Sequence, residues 1–197
     1  MKDYEKARTD YDTIIKSNDQ QVNLAWFYHR RGSVNMQLKN YKQAVADFNG
    51  AIQMDPNNAW HYNDMGWAYT ELKDYDKAIF YRNKAIELDP NYPPPYEGLG
   101  WIYNLRGEHE KAVEVCNRAL SLSPDAWITM LSYNTRAEAY RALKNYTQAL
   151  SDYNKAIELN SRNADSYFGR GKCYESLGDT ARAQADFAKA RELGRTN

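Results

Sequence analysis

Leu38-Lys39-Asn40-Tyr41-Lys42-Gln43-Ala44 recurs almost unchanged as Leu72-Lys73-Asp74-Tyr75-Asp76-Lys77-Ala78 and again as Leu143-Lys144-Asn145-Tyr146-Thr147-Gln148-Ala149. Looser copies are Lys2-Asp3-Tyr4-Glu5-Lys6-Ala7, Gly107-Glu108-His109-Glu110-Lys111-Ala112 and Leu177-Gly178-Asp179-Thr180-Ala181-Arg182-Ala183. Their closing alanines, Ala7, Ala44, Ala78, Ala112, Ala149 and Ala183, are spaced by 37, 34, 34, 37 and 34 residues. A short unit repeated in this way buries its apolar face by stacking on the next copy rather than by closing a core of its own.

Outward from that stretch, full repeats begin at Ala25, Ala59, Pro93, Met130 and Ala164, and positions are counted from those residues. Position 4 is Tyr28, Tyr62, Tyr96, Tyr133 and Tyr167; position 8 is Gly32, Gly66, Gly100, Ala137 and Gly171. Position 11 is Tyr69, Tyr103, Tyr140 and Tyr174, with Asn35 the exception. Positions 4, 8 and 11 make one stripe of an α-helix. Small residues at positions 8 and 20 let two helices approach, and the tyrosines fill the space beside them. Position 16 is Asn40, Asp74, Glu108, Asn145 or Asp179, and most of these suit the N-cap of a second helix. Pro56, Pro90 and Pro124 at position 32 end that helix. Pro93-Pro94-Pro95 falls in the first turn of a helix, where missing N–H groups cost least.

The pattern resembles the tetratricopeptide repeat (TPR) family, over nearly the whole chain. That resemblance implies an all-α fold, a right-handed α-solenoid of tandem helix-turn-helix TPR units. The expected organisation is a single array over 1–197. Residues 1–24 supply the second helix of an incomplete repeat plus a linker, followed by repeats 25–58, 59–92, 93–126, 130–163 and 164–197. The extra residues Val22-Asn23-Leu24 and Trp127-Ile128-Thr129 each add about one turn to the start of the following helix. Position 24 is normally aromatic, as in Tyr11, Phe48, Tyr153 and Phe187. Arg82 departs from this and is expected to snorkel, with the Tyr81 ring taking its place; Cys116 is the other departure.

Composition sets limits on function. The 26 Lys and Arg balance the 26 Asp and Glu, which disfavours a nucleic-acid or polybasic membrane binder. Mean hydropathy is -0.86, and neither an apolar run long enough for a transmembrane helix nor a signal peptide is read in the given chain. Localisation is otherwise open. Cys116 and Cys173 are 57 positions apart and His29, His61 and His109 are scattered, so no metal or cofactor is expected; the cysteines read as small buried hydrophobes. Gly169-Arg170-Gly171-Lys172 lacks the remainder of any phosphate-binding loop and sits within a helix pattern. No catalytic residue is expected, and the chain is read as a non-enzyme.

On the first helix of each repeat, positions 2, 5, 9 and 12 lie roughly 150° from the core stripe, at about 100° per residue. The resemblance implies that this second stripe lines a concave groove for a peptide or helical segment of a partner protein. Trp26 and Trp60 stand at position 2, Trp67 and Trp101 at position 9. Asn63 and Glu97 occupy position 5, Glu138 position 9, and Asn104 and Arg141 position 12. These nine residues are the expected peptide-binding set, with the tryptophans as anchors. Trp127, in an inserted turn, is expected to pack locally. The residues that clamp a carboxylate tail in some TPR proteins are missing in the first three repeats, where His29, Ser33, Asp64, Pro94 and Gly98 stand. The competing reading is a structural array, or a fragment of a larger TPR protein, that self-associates through open solenoid ends.

Of the 17 tyrosines, fifteen fall at positions 4, 11, 17 or 24, leaving Tyr81 and Tyr92 outside. Tyrosine is therefore assigned to the scaffold and tryptophan to the ligand.

Overall fold

The computed structural model describes residues 2–17, 23–122 and 125–195, and among them every regular element is an α-helix. The chain divides into two compact halves, Met1–Pro95 and Tyr96–Asn197. The N-terminal half contains α1 (Lys2–Ser17), α2 (Leu24–Gln37), α3 (Tyr41–Met54), α4 (Ala59–Glu71) and α5 (Tyr75–Leu88). Helix α6 (Pro93–Leu105) starts at the boundary. The C-terminal half continues with α7 (His109–Leu122), α8 (Ala126–Ala142), α9 (Tyr146–Leu159), α10 (Ala164–Ser176) and α11 (Thr180–Glu192). Val22, Pro124 and the last two residues, which figured in the sequence expectations, lie outside the described residues.

The recurring Leu-Lys-Asn/Asp stretch is the turn between paired helices. After α2, Leu38 caps the helix and Lys39 takes a left-handed φ of 59°. Asn40 N–H then reaches back to Asn35 O at 2.8 Å, and Lys39 N–H to Met36 O at 3.0 Å. This is a Schellman closure, which satisfies carbonyls that the helix end leaves open. The same pair of bonds follows α4, α6, α8 and α10, with Lys73 (φ 61°), Gly107 (75°), Lys144 (61°) and Gly178 (79°) at the left-handed position.

N-capping differs from the expectation. Asp74 and Asp179 do cap their helices, accepting from Lys77 N–H and Arg182 N–H. Asn40 and Asn145, at the equivalent place, make no side-chain cap bond. The first helices carry caps the sequence reading did not assign: Asn23, Asn58, Asp125 and Asn163 accept from the first-turn amides of α2, α4, α8 and α10. Helix α8 runs 17 residues against 13 in α4 and α10, so the Trp127-Ile128-Thr129 insertion does lengthen its start. Trp127 itself is 60 % exposed rather than packed, which corrects the expectation.

The core is a series of small contacts. Ala44, Ala51, Ala78, Ala85, Ala112, Ala119, Ala149 and Ala156 have no exposed surface. Position 8 faces position 24 across each pair: a Cβ on Gly32 would meet the Phe48 ring at 2.7 Å, and one on Gly171 would meet the Phe187 ring at 2.7 Å. On Gly66 it would meet Arg82 Cγ at 2.7 Å, and on Gly100 Cys116 Sγ at 2.5 Å. Arg82 therefore does not snorkel. It is buried with 6 % exposure and donates from Nη1 to Asn63 Oδ1 at 3.1 Å. The Tyr81 ring stacks on Tyr69, 5.4 Å between centroids and 3° from parallel. Cys116 and Cys173 are free, fully buried thiols, and burial pushes Cys173 up to about 11.

Candidate peptide-binding cavities

In the C-terminal half, the first turns of α10, the middle of α8 and the end of α6 enclose a cavity of about 380 Å³. Four of the expected site residues, Trp101, Asn104, Glu138 and Arg141, line it together. A helix places residues three or four apart on one face, which is why Trp101 with Asn104, and Glu138 with Arg141, point the same way. Glu97 is not part of the lining but is tied to it, because Thr135 Oγ1 donates to Glu97 Oε1 at 3.1 Å. Asn104 Nδ2 donates to the Thr135 carbonyl at 2.8 Å, and its Oδ1 lies 3.1 Å from His109 Nδ1. A carbonyl oxygen can only accept, so His109 carries its proton on Nδ1 there.

The charges in this cavity are satisfied internally. Arg141 pairs with Glu138 through two nitrogens, Nε reaching Oε2 at 3.2 Å, and Tyr153 Oη–H donates to the same carboxylate at 2.9 Å. Burial pushes the Glu138 carboxyl up, but the Arg141 guanidinium and the Tyr153 hydroxyl outweigh it and hold it below the usual glutamate range. Arg195 pairs with Asp165 and lies over the Phe168 ring, 4.1 Å from its centroid. Lys172 pairs with Glu175 at 2.9 Å. What remains unengaged is apolar, chiefly the Trp101 indole, 43 % exposed, and the Leu105 side chain.

Sequence reasoning missed Tyr153 and Gly169 here. Tyr153 is a position-24 core aromatic, 1 % exposed, whose hydroxyl nevertheless reaches the cavity. It does so because Gly169, on α10, leaves room: a Cβ there would sit 2.3 Å from the Tyr153 oxygen. The glycine at position 6, read from the sequence only as part of an incomplete phosphate-loop pattern, was the available clue.

The N-terminal half holds a smaller cavity, about 180 Å³, bordered by Trp26, His29, Arg30, Asp55, Asn58, Trp60 and His61. Trp26 and Trp60 are 47 % and 61 % exposed. The Arg30 guanidinium lies 5.6 Å from the Trp26 ring centroid, and Tyr92 packs at 6.4 Å from Trp60. Trp67, 37 % exposed, borders neither of these two cavities. Asn63 is a correction: it is 7 % exposed, accepts from Arg82 and donates from Nδ2 to Asp64 Oδ1 at 3.0 Å. Its amide is committed to the fold. No group of three or more His, Cys, Asp or Glu able to hold a metal ion occurs among the described residues, and no described helix is long and apolar enough to cross a membrane.

Tetratricopeptide-repeat sequence families match residues 23–91, 83–114 and 164–193, and a TPR-repeat family matches residues 137–178. A search of curated protein sequences gives no match. Solved structures with a similar fold include a tetratricopeptide repeat protein from Parabacteroides merdae, 22 % identical over 99 % of this chain and 74 % of that one, with a TM-score of 0.74. MamA from Desulfovibrio magneticus RS-1 is 20 % identical, covering 86 % of this chain and 94 % of its own, with a TM-score of 0.71. The Cut9–Hcn1 hetero-tetramer of APC/C contains a chain that is 16 % identical over all of this chain and 38 % of its own, with a TM-score of 0.88. At these identities the structures speak for the fold alone. With the helix pairs, their shared Schellman turns and the family matches, the chain belongs to the tetratricopeptide repeat family, an all-α solenoid fold of protein-interaction scaffolds.

Proposed function

We propose that this chain is a non-catalytic interaction module that receives a segment of a partner protein, with Trp101 as the anchor in the larger cavity. The observation that carries this reading is the grouping of Trp101 with Asn104, Glu138 and Arg141 around about 380 Å³. An exposed indole beside polar groups already paired with one another can take an apolar side chain without stranding a charge. The occupant this favours is an amphipathic helix or extended peptide with an apolar anchor, rather than a strongly charged tail. Trp26 and Trp60 would hold a second side chain of such a partner in the N-terminal half. Glu97 would act by positioning α8 through Thr135, and Trp67 would contribute exposed surface only.

The test is affinity capture of partners from native lysate, comparing wild type with Trp101→Ala. Trp127→Ala serves as control, since Trp127 is more exposed than Trp101, 60 % against 43 %, and borders neither cavity. Loss of the captured proteins with Trp101→Ala alone, at unchanged helicity, supports the reading. Equal capture by all three proteins, or unfolding of the Trp101 variant, rejects it.

A further inference from the structure

Between α2 and α4, three side chains form a chain of close polar contacts that the ligand reading above does not use. His29 Nε2 lies 3.3 Å from Asp64 Oδ2, and His29 Nδ1 lies 3.0 Å from His61 Nδ1. His61 Nε2 is buried, makes no hydrogen bond among the described residues, and faces Asp55 Oδ2 across 3.9 Å. Asp55 Oδ2 in turn accepts from Asn58 Nδ2 at 3.1 Å. Asn58 is the N-cap of α4, accepting from the Trp60 amide at 3.1 Å.

Hydrogen-bond directions follow from counting protons. With Asp64 ionised, its carboxylate can only accept, so a neutral His29 places its single proton on Nε2. Nδ1 of His29 is then an acceptor, and His61 must donate to it from Nδ1. That leaves His61 Nε2 as a bare lone pair 3.9 Å from the Asp55 carboxylate, two acceptors with no proton between them. This is the atom found without a partner. Adding one proton at Asp64 reverses everything. The Asp64 hydroxyl donates to His29 Nε2, His29 Nδ1–H donates to His61 Nδ1, and His61 Nε2–H is free to donate to Asp55. Both rings stay neutral, and each polar atom of the chain gains a complementary neighbour.

We propose that Asp64, His29, His61 and Asp55 are a one-proton switch, in which protonation of Asp64 reverses the hydrogen bonds between α2 and α4 and draws Asp55 onto His61. Through Asn58 the movement reaches the N-terminus of α4 and the Trp60 side of the small cavity. The surroundings favour proton uptake on the carboxyl before either imidazole. Burial pushes Asp64 up to about 6, against the Asn63 hydrogen bond and the charges of Arg82 and His61. Burial and the neighbouring Arg30 hold His29 down at about 4, and burial with His29 lowers His61. The facing groups are thus Arg30 on α2, Asp55 at the end of α3, Arg82 on α5 and Tyr92 ahead of α6, whose phenol burial and Asp64 hold protonated. Helix α3 otherwise presents Phe48, 5.4 Å from the His29 ring centroid.

The switch is read directly by long-range 1H–15N correlation spectra of imidazole-labelled protein, titrated from pH 8 to pH 4.5. The expected result is a common midpoint at which His29 changes from Nε2–H to Nδ1–H and His61 from Nδ1–H to Nε2–H, neither becoming imidazolium. The Trp60 indole cross-peak should move at the same midpoint. Asp64→Asn supplies an amide that donates to His29 Nε2 at every pH, and should show the low-pH tautomers at pH 8. Separate titration of the two rings to imidazolium, or tautomers that do not change over this range, would overturn the proposal. So would a folded Asp64→Asn protein that still switches. If that variant does not fold, the wild-type titration alone decides. A protein that switches yet captures no partner would leave this inference standing and reject only the ligand reading.

Discussion

The Arg136 guanidinium grips the Asp152 carboxylate with two hydrogen bonds, Nε to Oδ2 at 2.7 Å and Nη2 to Oδ1 at 2.8 Å, joining positions 7 and 23 of one repeat. Arg170 and Asp186 repeat the arrangement at 2.8 and 2.7 Å, and in the first repeat Arg31 pairs with Asp47 through Nε and Nη2 on the one oxygen Oδ1, while Oδ2 accepts from Asn35. In the second and third repeats the same positions hold Met65 with Tyr81 and Leu99 with Val115. The scaffold therefore accepts either a paired or an apolar solution, and a half-made pair is the costly case. Asp152 is 5 % exposed, so Asp152→Ala leaves the half-buried Arg136 guanidinium without its counter-ion and should cost up to about 3 kcal/mol. The double replacement Arg136→Leu with Asp152→Val, copying the third repeat, should cost clearly less. Urea denaturation of the two proteins separates these outcomes, and equal losses would contradict the argument.

Gly169 sets how far Tyr153 can reach. Its missing Cβ would lie 2.3 Å from both Cζ and Oη of a ring that is almost wholly buried and cannot swing away. Gly169→Ala should therefore destabilise by about 1–3 kcal/mol through overpacking. It should also break the Tyr153–Glu138 hydrogen bond, whereas Tyr153→Phe breaks that bond without the clash. Melting temperatures should fall much further for the alanine variant than for the phenylalanine one.

Lysine at a left-handed turn position is a local cost the fold carries three times, at Lys39, Lys73 and Lys144. Two other turns use Gly107 and Gly178 for the same backbone, and a Cβ at either would meet nothing within 4 Å. A Cβ in this conformation costs about 1 kcal/mol, partly offset by the greater freedom of glycine when unfolded. Lys144→Gly should raise stability by a few tenths to about 1 kcal/mol, measured by denaturant midpoint. A loss of stability would mean that the Lys144 side chain contributes more than its backbone costs.

The fold was legible because a solenoid repeats its instructions: Tyr at position 4, Gly at 8 and Ala at 20 and 27 recur, so no single match carried the reading. The candidate site was legible only in part, because groove residues are exempt from the repeat. Trp101, Asn104, Glu138 and Arg141 could be placed on one side of their helices by periodicity. Asn63 shares that periodicity, yet Arg82 at an ordinarily aromatic position draws its amide inward. Tyr153 was hidden for the opposite reason, since its ring belongs to the core and only the space over Gly169 gives its hydroxyl a way out. The paired helix of the same repeat decided the first case and a glycine one repeat away the second, and a helical pattern specifies neither.

The half-buried pair His29 and Asp64 should make the acid stability of the N-terminal half nearly self-cancelling, and the Asp64→Asn variant should expose this. The folded pKa of His29 lies at about 4, below its ordinary 6.5, so the unfolded chain takes up that proton first. Its contribution is present above 6.5 and lost as pH falls toward 4. Asp64 runs the other way: its folded value of about 6 exceeds the ordinary 3.8, so the folded chain takes up the proton and gains stability over nearly the same interval. Each effect is of the order of 3 kcal/mol, with opposite sign. Asp64→Asn removes the second and keeps the first. Urea midpoints for wild type should change little between pH 6.5 and pH 4.5, while those of the variant should fall steadily. His29→Phe should do the reverse and become more stable as the pH drops. Parallel pH profiles for all three proteins would show that the two groups do not oppose each other.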